Sequence, residues 1–241
     1  MAYNGSDQKL IARLGQSAYN LTVRSNSRQA GQGKPSFIEE ARRRQIVDTA
    51  IRTIATRGFS QTSLAEIARD AGISKGVISY HFEGKRELVE AILSRLLREP
   101  AEFIKERVDA CDRPLDKLRA YIQANFEHMK SNRSHYVALV DLWGIRTSSD
   151  KHHHFDAEAY LPSRGYLSRI IENGQKRGDL KAAPLKTMAS VIQASIDGVM
   201  LQWVYDADAI DLDACREEIL GMISAHLAVS REERPSGTTG S

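Results

Sequence analysis

No stretch of the chain approaches the roughly 18 consecutive apolar residues that a membrane-crossing helix needs, so a spanning protein is not expected. The N-terminus also lacks the short apolar core and small-residue cleavage site of a secretory signal, and a cytoplasmic protein with no membrane partner is expected. Cysteine is scarce. Cys111 and Cys215 are the only two, far apart and without Cys-x-x-Cys spacing, which suggests neither a disulfide framework nor a thiolate zinc site. No segment alternates polar and apolar residues long enough to argue for a strand. Catalytic signatures are missing as well: there is no nucleophile elbow, phosphate loop, His-Glu-x-x-His or readable pair of carboxylates. An enzyme is therefore the disfavoured class, and no cofactor is expected.

What is present is apolar material for a real core, at 41% of 241 residues, and a lopsided charge. Residues 1–99 carry 16 Lys and Arg against 10 Asp and Glu, whereas residues 100–241 carry 18 against 21. A basic first part lowers the cost of approaching a polyanion without choosing which one. Residues 1–36 mix Gly, Ser, Asn and Gln with scattered Arg and are expected to form a flexible arm. Residues 230–241 are expected to be a disordered tail.

From Phe37, apolar residues recur at three- and four-residue steps (Ile46, Val47, Ala50, Ile51, Ile54) until Arg57-Gly58 supplies a stop. Thr62 or Ser63 can then cap a short second helix that ends at Ala71-Gly72. Ser74 caps a third, which runs into Tyr80-His81-Phe82. A fourth, over 84–99, should stop at Pro100 and connect to further helices at roughly 101–111, 114–130, 133–146, 157–177, 184–206 and 211–229. The fold class is all-α. Two short helices joined by Asp70-Ala71-Gly72-Ile73 in a basic region make a helix-turn-helix, whose second helix would enter the major groove.

The residues Thr62-Ser63-Leu64-Ala65-Glu66-Ile67-Ala68, Ala71-Gly72-Ile73-Ser74-Lys75-Gly76, Tyr80-His81-Phe82 and Lys85 with Glu87-Leu88 resemble the DNA-binding domain of the TetR (AcrR-type) repressors. The likeness covers about 50 residues, with turn, aromatic trio and following Lys at the family's spacing. It implies a helix-turn-helix domain over 37–83 and a ligand-binding and dimerisation domain over 84–229.

Candidate DNA-binding residues follow. Lys75 can donate to a phosphate or to guanine, and Gly76 admits close backbone approach. Val77 can meet a thymine methyl, and Ser79 shares the readout face. Thr62, Ser63 and Ser74 sit at helix starts, where capping and phosphate binding are both open. Tyr80 and His81 resemble the family's phosphate-contacting pair, and Lys85 would face a phosphate, while Phe82 is expected in the core. Val77 and Ser79 depart from residues common in relatives, so no operator sequence transfers.

For a small, largely apolar or aromatic effector, the candidates are Tyr121, Phe126, Trp143, Phe155, Tyr166 and Trp203, which together would also admit a lipophilic cation. His152-His153-His154, beside Asp150 and Asp156, reads as a solvated polar loop. A metal-responsive regulator using it is the alternative. Helices at about 184–206 and 211–229 are expected to form a homodimer through Ile192, Ile196, Val199, Met200, Trp203, Ile219, Leu220, Met222, Ile223 and Leu227, and hence to bind a palindromic double-stranded operator.

Overall fold

The computed structural model describes residues 36–143 and 161–229. The tail, nearly all of the arm, Phe155 and His152-His154 lie outside them. Nine helices account for the described residues, with an isolated antiparallel bridge between Leu180 and Ala228. No described helix is long and apolar enough to cross a membrane. The chain divides into two compact units.

The first unit takes residues 36–99 and 132–143. Its helices are α1 (Phe37–Arg57), α2 (Leu64–Asp70), α3 (Lys75–His81), the first part of α4 (Lys85–Asp109) and α6 (Arg133–Trp143). Helix α1 starts at a full capping box: Ser36 Oγ accepts from the Glu39 N–H and Glu39 Oε2 accepts from the Ser36 N–H at 2.7 Å. The helix stops at Gly58, whose φ of 81° and ψ of 153° are essentially closed to residues with a side chain. Between those ends, Ile46, Ala50, Ile51 and Ile54 form one buried stripe. Against it pack Ile67 and Ala68 of α2, Ile78 of α3, Phe82, and Leu88, Ile92 and Leu96 of α4. Each Ile, Leu or Phe among them stabilises by roughly 1.5–3 kcal/mol, so this small unit rests mostly on its large buried side chains. Phe82 is core, as its position in the aromatic trio suggested.

The unit recruits a helix that lies far along the sequence. Helix α6 lays Ala138, Leu139 and Leu142 into the same core and packs along α1, so the compact body extends well beyond the expected 37–83.

The second unit takes residues 100–131 and the described part from 161 onward. It holds the rest of α4, with α5 (Pro114–Ser131), α7 (Leu161–Lys176), α8 (Leu185–Tyr205) and α9 (Leu212–Leu227). The expected break at Pro100 does not occur: one helix runs from Lys85 to Asp109 with the proline inside it. Proline removes one backbone donor and its ring crowds the preceding turn, a cost of about 3 kcal/mol. That cost is local, and packing offsets it on both sides, with Leu93 and Leu96 buried before the proline and Ile104 and Val108 after it. Helices α8 and α9 begin and end within two residues of the expected bounds.

Candidate nucleic-acid interface

The turn between α2 and α3 has the geometry its residues suggested. Gly72 takes a left-handed φ of 66°, letting its N–H reach the Arg69 carbonyl and the Ile73 N–H reach the Ala68 carbonyl. Ile73 packs against the core beneath the pair. Ser74 caps α3, its Oγ accepting from the Val77 N–H. With Ile78 turned inward, α3 leaves Ser74, Lys75, Gly76, Ser79 and Tyr80 exposed and Val77 half-buried at the edge. Of the seven candidates from Ser74 to His81, five are thus exposed, and Val77 and His81 are half-buried.

Beside that side lies an open concavity of about 480 Å³, lined by Ser60, Gln61, Thr62, Ser63, Glu66, Lys75 and Lys85 among others. Two ammonium groups from opposite ends of the motif line it. Its one carboxylate, Glu66, is bound to the Ser63 N–H at 2.8 Å and held below the usual carboxylate range chiefly by that bond. The concavity thus carries two ammonium groups against one carboxylate.

Two residues play parts different from those expected. Thr62 is 2% exposed and its hydroxyl donates inward to the Gly58 carbonyl at 2.8 Å, so it neither caps α2 nor offers a side chain outward. Ser63 is the cap, in a reciprocal box with Glu66. Lys85 points back into its own unit: Nζ donates to the Thr62 carbonyl at 2.6 Å and the Phe59 carbonyl at 3.4 Å, 4.1 Å above the Phe59 ring. An ammonium has three donors, so one remains for the concavity. Lys85→Met keeps the stem over Phe59 and deletes both bonds. It is expected to cost about 1–2 kcal/mol and lower Tm by a few degrees without DNA. An unchanged melting curve would show that Lys85 does not brace the corner.

Tyr80 and His81 sit edge to face, ring centroids 5.0 Å apart. The Tyr80 hydroxyl donates to Glu39 Oε1 at 3.0 Å, which raises the phenol above its ordinary value, and Glu39 is held below its own first by the Ser36 N–H and then by this bond. Burial, then the nearby Arg43, pushes the His81 imidazole down, leaving a neutral N–H donor at pH 7. Arg43 is a residue that sequence reading passed over inside a run of three arginines. It donates to the His81 carbonyl, pairs with Glu87 at 2.7 Å and lies 4.1 Å over the Phe82 ring, fixing the end of α3 to α1 and α4. Glu39 was legible as the third residue of the Ser36 box, though its hold on Tyr80 was not.

The aromatic candidates of the second half do not converge as a set. Tyr121 and Tyr166 come together, ring centroids 6.3 Å apart, with a polar chain behind them. Tyr121 donates to Gln193 Oε1 at 2.7 Å, Gln193 donates to Asp197 at 2.8 Å, and Tyr166 donates to Asp109 at 3.2 Å. Burial pushes the Tyr121 phenol far above its ordinary value, so it stays neutral. Phe126 is fully buried and, five residues on, lies about 140° round α5 from Tyr121. Trp203 is buried about 15 Å along α8 from Gln193. Trp143 ends α6 in the first unit. Among the described residues no three His, Cys, Asp or Glu side chains gather to hold a metal.

Helices α8 and α9 correct the expected dimer face. Ile192, Ile196, Met200, Trp203, Ile219, Leu220, Ile223 and Leu227 are buried within their own chain, so they belong to the protomer's core. A second stripe is exposed: Val191, Ala194, Leu201 and Tyr205 on α8, with Gly221, Met222 and Ala225 on α9.

Comparison with known proteins follows the same division. The family model for bacterial regulatory proteins, tetR family, matches residues 46–92, and that for the BetI-type transcriptional repressor, C-terminal, matches residues 114–228. The chain is 25% identical over 202 residues to the HTH-type transcriptional regulator BetI 1 of Chromohalobacter salexigens, covering 83% of this chain and 96% of that one. It is 28% identical over 185 residues to BetI of Pseudomonas aeruginosa, covering 73% and 88%. Among solved structures, a Saccharomonospora viridis protein described as a transcriptional regulator in complex with choline superposes with a TM-score of 0.70 at 22% identity, over 78% of this chain and 98% of that one. SmeT, the repressor of the Stenotrophomonas maltophilia multidrug efflux pump SmeDEF, does so with a TM-score of 0.66 at 20% identity, over 83% and 96%. At such identities the structures share the fold.

Proposed function

The chain belongs to the TetR family of bacterial regulatory proteins, and from that premise we propose that it is a ligand-responsive repressor binding a palindromic operator as a homodimer. The observation that carries the reading is the exposed side of α3, with Lys75, Gly76, Ser79 and Tyr80 beside a concavity lined by Lys75 and Lys85. In this reading Lys75 and Ser79 face base edges, Val77 contributes an apolar edge, and Tyr80, His81, Ser63 and the remaining Lys85 donor position phosphates. Residues 37–83 supply the DNA contacts apart from that of Lys85, and those from 84 to 229 the connector, effector site and dimer helices. The exposed stripe on α8 and α9 is the homodimer face, and a two-fold dimer matches half-sites about one helical turn, or a multiple of it, apart.

The effector in this reading is a small organic cation held at Tyr121 and Tyr166. Two tilted rings with the Asp197 carboxylate close by, and Asp109 shared between Tyr166 and Lys105, suit a methylated ammonium, which favours aromatic faces and needs a counter-charge nearby. The Saccharomonospora viridis protein was solved with choline, which favours that class over a neutral one; SmeT was solved with triclosan. Effector lowers operator affinity only by preferring the conformation that binds DNA less well. A tenfold effect needs about 1.4 kcal/mol of preference.

The test is selection of bound duplexes from random DNA, repeated with choline. A recovered palindrome released by choline, with release blunted in Tyr121→Ala, is the expected result. No palindrome at moderate salt would sink the repressor reading. A palindrome indifferent to choline would remove only the effector class.

A further inference from the structure

The corner that carries Ser60, Gln61 and Ser63 to the rim of the concavity is held from outside the helix-turn-helix. Helix α1 ends with the Gly58 N–H on the Ile54 carbonyl, which leaves the next N–H, on Phe59, without a helical acceptor. That N–H donates to the carboxylate of Asp141, 82 residues away on α6. Asp141 also lies against Gly58, since a side-chain carbon built there would stand 3.8 Å from Oδ2. On the other side of the same peptide segment, the Phe59 carbonyl accepts from the Thr62 N–H at 3.1 Å and from Lys85 at 3.4 Å. The Thr62 hydroxyl returns to the Gly58 carbonyl. The corner is thus gripped from both sides, by Lys85 of α4 on one and by Asp141 of α6, 82 residues away in the chain, on the other. Because Ala138, Leu139 and Leu142 seat α6 in the core, the carboxylate has a fixed base to hold from.

A carboxylate beside a surface that must receive phosphates is electrostatically unfavourable for binding DNA. Its presence is explained if its hydrogen bond to the corner is worth more than its repulsion. We propose that Asp141 is a positioning residue for DNA binding, fixing the Gly58–Thr62 corner so that the concavity is preformed when a phosphate arrives. This rests on the repressor reading above. It predicts a loss of backbone contact without loss of base preference, because the corner touches the strand and not the base edges.

The experiment compares wild type, Asp141→Ala and Asp141→Asn on the duplex that wild type selects and on an unrelated duplex of equal length, at two salt concentrations. Asp141→Ala is expected to bind about tenfold more weakly on both duplexes, and its salt slope to fall by about one. Asp141→Asn, which keeps an oxygen acceptor, is expected to recover most of the affinity. Exchange of the Phe59 amide should quicken in Asp141→Ala while amides in the middle of α1 stay protected, which reports the grip even for a variant of lowered stability. Equal or tighter binding by Asp141→Ala would overturn the proposal, because the carboxylate would then act by repulsion alone. So would a loss confined to the selected duplex, or a Phe59 amide that exchanges as in wild type. If wild type itself selects no duplex, the repressor reading fails, while the amide exchange still decides whether Asp141 holds the corner.

Discussion

Alanine at both Lys75 and Tyr80 should weaken operator binding by roughly a hundredfold or more at physiological salt, with the fold unchanged. The magnitude follows from symmetry as much as from chemistry. A well-made base contact from a lysine is worth about 1–3 kcal/mol, and in a two-fold dimer each lost contact is lost twice. Both side chains are exposed, Tyr80 at 71%, so little packing goes with them. The single variants should differ in kind. Lys75→Ala is expected to relax base preference within each half-site, whereas Tyr80→Phe, keeping the ring against His81, should weaken all duplexes alike. Anisotropy titrations on matched and mismatched duplexes, with circular dichroism as the folding control, separate these outcomes. Unchanged affinity in the double variant would remove α3 as the reading helix.

The residues that made this legible are those whose signals are short-range. The turn at Gly72, the stripe from Ile46 to Ile54 and the stop at Gly58 are written in spacings of three and four residues, and the structure reproduces them. The choice between Ser63 and Thr62 as cap was also written locally, in the glutamate three residues after Ser63. Other features depend on pairings that no local spacing encodes. Arg43 meets Glu87 across 44 residues and Asp141 meets Phe59 across 82, so neither could be placed before the helices were packed. Pro100 misled because its cost is local while the burial that offsets it is tertiary. In α8 the difficulty is of another kind, because apolar residues occur on two sides of one helix. The pattern Ile192, Ile196, Met200 and Trp203 has the same periodicity as a dimer seam, and only burial shows that it faces inward.

That inward stripe sets up the second large expected effect, for Leu201→Arg combined with Met222→Arg. Leu201 is 43% exposed and Met222 59%, so neither arginine should disturb the protomer's core. At an isologous interface each substitution appears on both partners, so four guanidinium groups would have to be desolvated against an apolar face. The chain is expected to sediment as a monomer at micromolar concentration with wild-type helical content. A monomer engages one half-site at a time and forfeits the effective concentration that the partner supplied. Operator affinity should then fall by roughly 10²–10⁴, while a single half-site is bound much as before. Ile196→Arg supplies the contrast: this side chain is 1% exposed, and a charge there should unfold the protomer rather than divide the dimer. If the double variant stays dimeric and keeps its operator affinity, α8 and α9 are not the interface. The exposed stripe would then need another occupant.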